Sequence, residues 1–225
     1  MESEVAAIFR SRWESRDGTV VPESEDLALQ NKGVTIDGTV LYADLAASTD
    51  LVDRFSAQFA AEVYKAYLYC AAKIIRAEGG SITAYDGDRI MAVYIGGRKN
   101  TSAAKTALKI NYAVNKIINP ALRSVYKNST YTIQQVVGVD TSKLFAARTG
   151  VRGANDLVWV GRAANYAAKL TELEPSYPSN ITHSVYDAML DEAKTSNDGR
   201  AMWEQFTWNT MNKLTIYRST WTWSL

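Results

Sequence analysis

The chain has 225 residues, 47% of them hydrophobic, enough for one sizeable core without disulfides or structural metals. Its 25 Lys and Arg against 24 Asp and Glu leave a formal net charge of +1, which excludes a general field for nucleic acid or an anionic membrane, so any anion site must be local. The start Met1-Glu2-Ser3-Glu4 lacks the flank and apolar block of a secretory signal, and no run approaches the ~18 apolar residues of a membrane span; the expected compartment is the cytoplasm.

Residues 5–14 place Val5, Ile8, Phe9 and Trp13 on one helical face, and Asp17-Gly18 with the polar run 22–33 reads as a linker. This divides the chain into an accessory segment, 1–33, and a main domain, 34–225. Residues 39–45 form a β-type run ending at an acidic residue among small ones. Ser48, Thr49 and Asp50 are N-cap types, and Val52, Phe55, Phe59, Val63, Tyr67, Cys70 and Ile74 then recur at helical spacing until Gly79-Gly80, predicting one long helix. Cys70, the single cysteine, reads there as a buried and inert thiol.

Residues 81–95 are two β-rich runs around Asp86-Gly87, a strong hairpin signal. A second helix is predicted over 102–118, with Pro120 just beyond its end. Residues 131–139 and 144–147 read as a strand pair joined at 140–143, and 157–160 as a short strand feeding a helix over 162–173. The aromatic and Thr-rich stretch 203–223 reads as a closing β-meander. The order β-α-β-β-α-β with appended strands predicts an α+β sandwich of ferredoxin-like type.

The most informative residues are Asp44 and Asp88, each at the end of an apolar β run. Core strands rarely tolerate a carboxylate unless it is paired or holds a metal, and two on neighbouring strands would give hard oxygen ligands suited to Mg²⁺ or Mn²⁺ carrying a triphosphate. The plainer reading makes Asp88 part of the turn and Asp44 a helix cap. After Asp44, the residues Leu45-Ala46-Ala47-Ser48-Thr49 open a helix whose unpaired N–H groups form a plausible phosphate cradle.

Four segments, Tyr42-Ala43-Asp44-Leu45 with Ser48-Thr49, Gly87 to Val93, Gly138 to Ser142, and Val160 to Leu170, together resemble the ordered motif series of class III adenylate and guanylate cyclases. The match spans roughly 36–217. The resemblance implies that Asp44, Asp88 and the Leu45 carbonyl hold two divalent ions, and that Ala46, Ala47, Ser48, Thr49 and Lys143 contact phosphates. It further implies that Asn165 orients the ribose, while Lys169 stands where most members carry an arginine at the transition state. Because the family assembles each site from two catalytic domains, it also implies a homodimer with shared active sites. The helix bearing Phe9 and Trp13 then either covers that interface or packs on its own domain. His183, the one histidine, lies in a polar stretch and reads as a solvated surface residue.

Purine-specific relatives read the base with a lysine three residues before the Gly-Asp pair and an aspartate three before the glycine of the Asn motif. Here those places hold Ala84 and Val158, with Tyr42, Tyr85 and Arg89 as nearby candidates for closing the pocket. In this the chain resembles the pyrimidine cyclases of bacterial antiphage signalling, which implies cyclic UMP or cyclic CMP as product, UTP favoured over CTP, and a separate effector that the product activates. The alternatives are an adenylate or guanylate cyclase with shifted base contacts, a silent nucleotide-binding module, and a plain scaffold.

Overall fold

The computed structural model describes residues 1–225. The chain runs α1 (Glu2–Arg10), β1 (Glu14–Asp17), β2 (Lys32–Leu45), α2 (Ser48–Arg54), α3 (Ala57–Ala77), β3 (Ser81–Asp86), β4 (Arg89–Tyr94), α4 (Lys99–Ala113) and α5 (Asn119–Val125). It continues through β5 (Gln135–Val151), β6 (Ala154–Val160), α6 (Arg162–Leu170), β7 (Ser179–Thr182), α7 (His183–Ala188), β8 (Glu204–Trp208) and β9 (Leu214–Ser219). The strands form one sheet in the order β3-β4-β2-β5-β7-β9-β8, with β1 beside β2 and β6 beside β5.

Strand alternation sorts the core onto two faces. Leu41, Ala43 and Leu45 of β2 pack with Val63, Tyr67 and Ala71 of α3 and Leu108 of α4. Val34, Ile36 and Val40 of the same strand pack on the other face with Ala163, Ala164 and Ala167 of α6. Asp44 follows the parity of Val40 and belongs to the α6 face.

Several local expectations change. Residues 140–143 are not a turn: β5 runs unbroken for 17 residues, and Asp140 to Lys143 pair one for one with Val40 to Asp37. Their polar side chains find partners within the sheet, Thr141 Oγ1 donating to the Gly38 carbonyl at 3.2 Å, so they need not seek water in a loop. The long first helix is two, because Ser56 caps α3 by accepting from the Phe59 N–H at 3.3 Å. The second helix does not stop before Pro120. It passes through a π-helical turn, Val114–Ile118, and Pro120 falls in the first turn of α5, where a missing N–H costs nothing.

The accessory segment 1–33 contains β1 and the start of β2, and the C-terminal meander is a single hairpin, β8 with β9. Cys70 is half-buried, and burial raises its thiol pKa. His183 is exposed beside Asp187. The apolar face of α1 does not pack on its own domain: no residue of α1 is buried, and Phe9 is 85% exposed. The helix is tethered instead by Asn31, whose Nδ2 donates to the Ile8 and Ser11 carbonyls, and by Trp13 edge-on to Phe145.

Candidate active site

The residues singled out in the sequence fall into two groups on the same sheet. The first is built where β2 ends and β4 begins. The register pairs Ala43 with Ile90, so one step further Asp44 and Arg89 are cross-strand neighbours. Arg89 donates twice to one Asp44 oxygen, Nη2 at 2.7 Å and Nε at 3.0 Å, and its guanidinium stands 6.0 Å from the Tyr42 ring centre. Burial pushes the Asp44 carboxyl above the usual range, Arg89 draws it back, and the charge of Asp88 raises it again.

Asp88 follows Gly87, whose φ of +60° makes the tight turn. Its Oδ2 is buried without any hydrogen-bond partner, and the Tyr67 hydroxyl in the core behind is likewise unpartnered. An orphaned carboxylate oxygen beside a second carboxylate fits a divalent cation, which would remove the cost of both. No set of three or more His, Cys, Asp or Glu gathers in the fold.

The helix opening differs from expectation. The N-cap of α2 is Ala47, in the left-handed region at φ +55°, and no side chain caps the helix. The Ala46 N–H is already given to the Gln134 carbonyl at 3.0 Å, while the first turn of α2 keeps its own donors. A left-handed alanine is strained, and such strain concentrates at ligand clamps.

The second group is on α6. Gly161 and Gly138 let this helix lie directly on β5: a Cβ on Gly161 would sit 2.7 Å from the Lys143 carbonyl, and one on Gly138 2.1 Å from the Ala167 carbonyl. Ala163, Ala164, Ala167 and Leu170 are buried beneath it, so Asn165 and Lys169, four apart on the opposite face, are exposed to solvent. Lys169 has no carboxylate partner; its Nζ lies 3.8 Å from Met211 Sδ.

The remaining predicted residues divide between the halves. Lys143 pairs with Asp37, seven residues along β2 from Asp44 or about 23 Å, and adjoins the start of α6. Val158 pairs with Ala147, which pairs with Gly33, eleven residues or about 36 Å from Asp44. Ala84 and Tyr42 stay with the aspartates, both flanking Met91 on the α6 face. Tyr85 does not join them. A bulge between Ile82 and Ala84 turns Ala84 to the α6 face, and alternation then sends Tyr85 to the α3 face, beside Tyr69 and Arg76. An apolar groove of about 320 Å³ between α3 and α5, lined by Phe59, Cys70, Leu122 and Tyr126, is on that far side as well.

Sequence reasoning named Arg89 only as a candidate wall of the base pocket and missed its ion pair with Asp44. The signal was present, since Arg89 directly follows the turn aspartate, but only the strand register makes it a neighbour of Asp44.

The same architecture occurs in solved cyclase structures. The adenylyl cyclase CyaB from P. aeruginosa matches with a TM-score of 0.67 over 83% of this chain and 95% of its own, at 18% identity. The guanylyl cyclase Cya2 matches with a TM-score of 0.70 over 85% and 95%, at 16% identity. The fold is that of class III nucleotide cyclase domains.

Sequence comparison goes further. A uridylate cyclase from Xanthomonas perforans is 58% identical over 219 residues, 97% of this chain and 94% of its own. Those from Burkholderia cepacia and Rhodovulum sp. (strain MB263) are 51% and 38% identical, over 98% and 97% of this chain and 96% and 94% of theirs. No protein-family model matches the chain. The chain belongs to the uridylate cyclase family, and it is a nucleotide cyclase. No helix is long and apolar enough to cross a membrane.

Proposed function

We propose that two copies of this chain close UTP into 3′,5′-cyclic UMP and pyrophosphate, at sites each made from the aspartate half of one subunit and the α6 half of the other. The observation that carries this reading is that Asn165 and Lys169 turn outward, away from their own sheet, while Lys143 and Val158 are remote from Asp44. One chain holds both sets of groups, but Lys143 and Val158 lie about 23 and 36 Å along the sheet from Asp44, and Asn165 and Lys169 face solvent. Isologous pairing about a two-fold axis would join the halves twice.

Two divalent ions, Mg²⁺ or Mn²⁺, held by Asp44, Asp88 and the Leu45 carbonyl would supply Lewis acidity at the ribose 3′-hydroxyl and neutralise the triphosphate. The other roles fall to the protein. Arg89 holds Asp44 as an ion pair until the site fills, and the guanidinium then remains beside Tyr42. The free N–H groups around Ala47, Ser48 and Thr49 meet the β- and γ-phosphates, with Ala46 shaping the approach. From the partner, Asn165 orients the ribose, Lys169 offsets charge on the α-phosphate, and Lys143 offsets charge on the leaving pyrophosphate. The 3′-oxygen bonds to the α-phosphorus as the bridging bond to the β-phosphate breaks, and the hydroxyl proton passes to solvent. Lysine at 169 keeps the cation but not the bidentate fork of arginine.

Base choice follows from donors and acceptors. Ala84 and Val158 offer no side-chain hydrogen bond; Tyr42 packs in the same cluster as Ala84, and the Arg89 guanidinium stands 6.0 Å from the Tyr42 ring centre. Arginine only donates, which suits the O4 acceptor of uracil and disfavours the 4-amino donor of cytosine. The product would act as a second messenger on a separate effector in antiphage defence. Incubation with each of the four ribonucleoside triphosphates and Mn²⁺, followed by chromatography, tests the reading: cyclic UMP is the expected main product, and cyclic AMP or cyclic GMP in that place refutes it.

A further inference from the structure

Arg162, the first residue of α6, is not used by the reaction as derived above, yet it is the most heavily bonded side chain of that helix. Its Nε and Nη2 donate to the two Asp140 carboxylate oxygens at 3.1 and 3.2 Å. Nη2 also donates to the Thr141 carbonyl at 2.8 Å and reaches Ser184 Oγ at 3.2 Å. Asp140 has no solvent exposure and takes a further hydrogen bond from Thr182 Oγ1 of β7. Ser142 Oγ accepts the Ala163 N–H at 3.0 Å, fixing the same end of the helix.

Both charges sit where local energetics disfavour them. A carboxylate in an interior strand of the sheet is costly to desolvate, and an apolar residue of similar size would fill the place at less cost. A cation in the first turn of a helix opposes the helix dipole. The pair therefore makes better sense as a device that sets position than as one that adds stability. The planar fork ties α6 to β5 and α7 at once, and through Asp140 to β7, which a lysine cannot do. Asn165 lies about one turn beyond this anchor and Lys169 about two.

We propose that Arg162 and Asp140 form a positioning clamp, which fixes the height and rotation of α6 on the sheet so that Asn165 and Lys169 present correctly to nucleotide held by the partner's aspartates. The inference rests on the shared-site reading, and the test separates the two. Arg162→Lys keeps a cation beside Asp140, so folding survives, but it loses the fork. Its homodimer should lose about 10- to 100-fold in kcat with KM for the nucleotide within about twofold, at unchanged melting temperature. Unchanged kcat overturns the clamp.

Subunit mixing gives the sharper readout. Mixed with Asp44→Ala, Arg162→Lys should recover about a quarter of parental activity, because half the dimers are mixed and each holds one intact site. Mixed with Asn165→Ala it should recover nothing, because both subunits then carry a defective α6. Recovery with Asn165→Ala, or equal behaviour with both partners, overturns the inference. The control pair, Asp44→Ala with Asn165→Ala, tests the shared site alone: if it fails to recover despite proven exchange, that reading falls, while the kcat and KM split of the homodimer still decides whether Arg162 positions α6.

Discussion

Replacing Gly138 with alanine is a direct way to ask whether the height of α6 controls turnover. The added methyl would lie 2.1 Å from the Ala167 carbonyl oxygen and 2.6 Å from Leu170 Cβ, and the first of these is backbone, so it cannot rotate away. Restoring an ordinary contact of 3.4 Å requires the C-terminal half of α6 to rise by about 1.3 Å. Overpacking of this kind costs about 1–3 kcal/mol, which for a domain of this size lowers the melting midpoint by roughly 2–12 °C. The displacement also carries Lys169 and Asn165 with it. A misplacement of about 1 Å at a reacting centre costs on the order of 100-fold in rate. Circular dichroism melting and steady-state cyclic nucleotide formation, the latter well below both midpoints, measure the two effects separately. A variant that melts early but keeps kcat within about twofold refutes the claim that α6 must sit at this height.

Two further predictions concern the aspartate half. Asp88→Ala should abolish turnover and the stabilisation given by Mn²⁺, yet leave metal-free stability equal or higher by up to about 1 kcal/mol, because it removes a buried oxygen with no partner; retained turnover in the product assay eliminates Asp88 from the mechanism. Arg89→Ala leaves the half-buried Asp44 without its counter-ion, so the metal-free protein should lose about 1–2 kcal/mol, between the values for exposed and buried pairs. The same variant should gain more from added Mn²⁺ than the parent, since the ion no longer competes with a guanidinium; a smaller thermal shift on adding Mn²⁺ contradicts the competition.

Most strand and helix periods and the Asp86-Gly87 hairpin, whose turn holds Asp88, were readable in the sequence, because each depends on residues close together in the chain. So was the family, since its four motifs are short and ordered. Misreadings arose where a local signal met a tertiary partner. Asp140 to Lys143 look like a turn, but cross-strand pairing with β2 and the Arg162 side chain satisfy them within a continuous strand. Pro120 looks like a stop, but the π-helical turn before it shifts it into a first-turn position.

The sequence by itself determined which chemical groups this protein carries: two carboxylates flanking β runs, an asparagine and a lysine one helical turn apart, and apolar residues where purine-specific relatives carry a lysine and an aspartate. Only the tertiary structure decided where those groups point. A single-residue bulge puts Ala84 rather than Tyr85 on the α6 face, strand register makes Arg89 the partner of Asp44, and two glycines lay α6 flat on β5 with Asn165 and Lys169 outward. The physical reason is that side-chain direction in a sheet alternates with every residue, so one inserted residue or one step of register reverses a face, while the composition that names the chemistry stays the same.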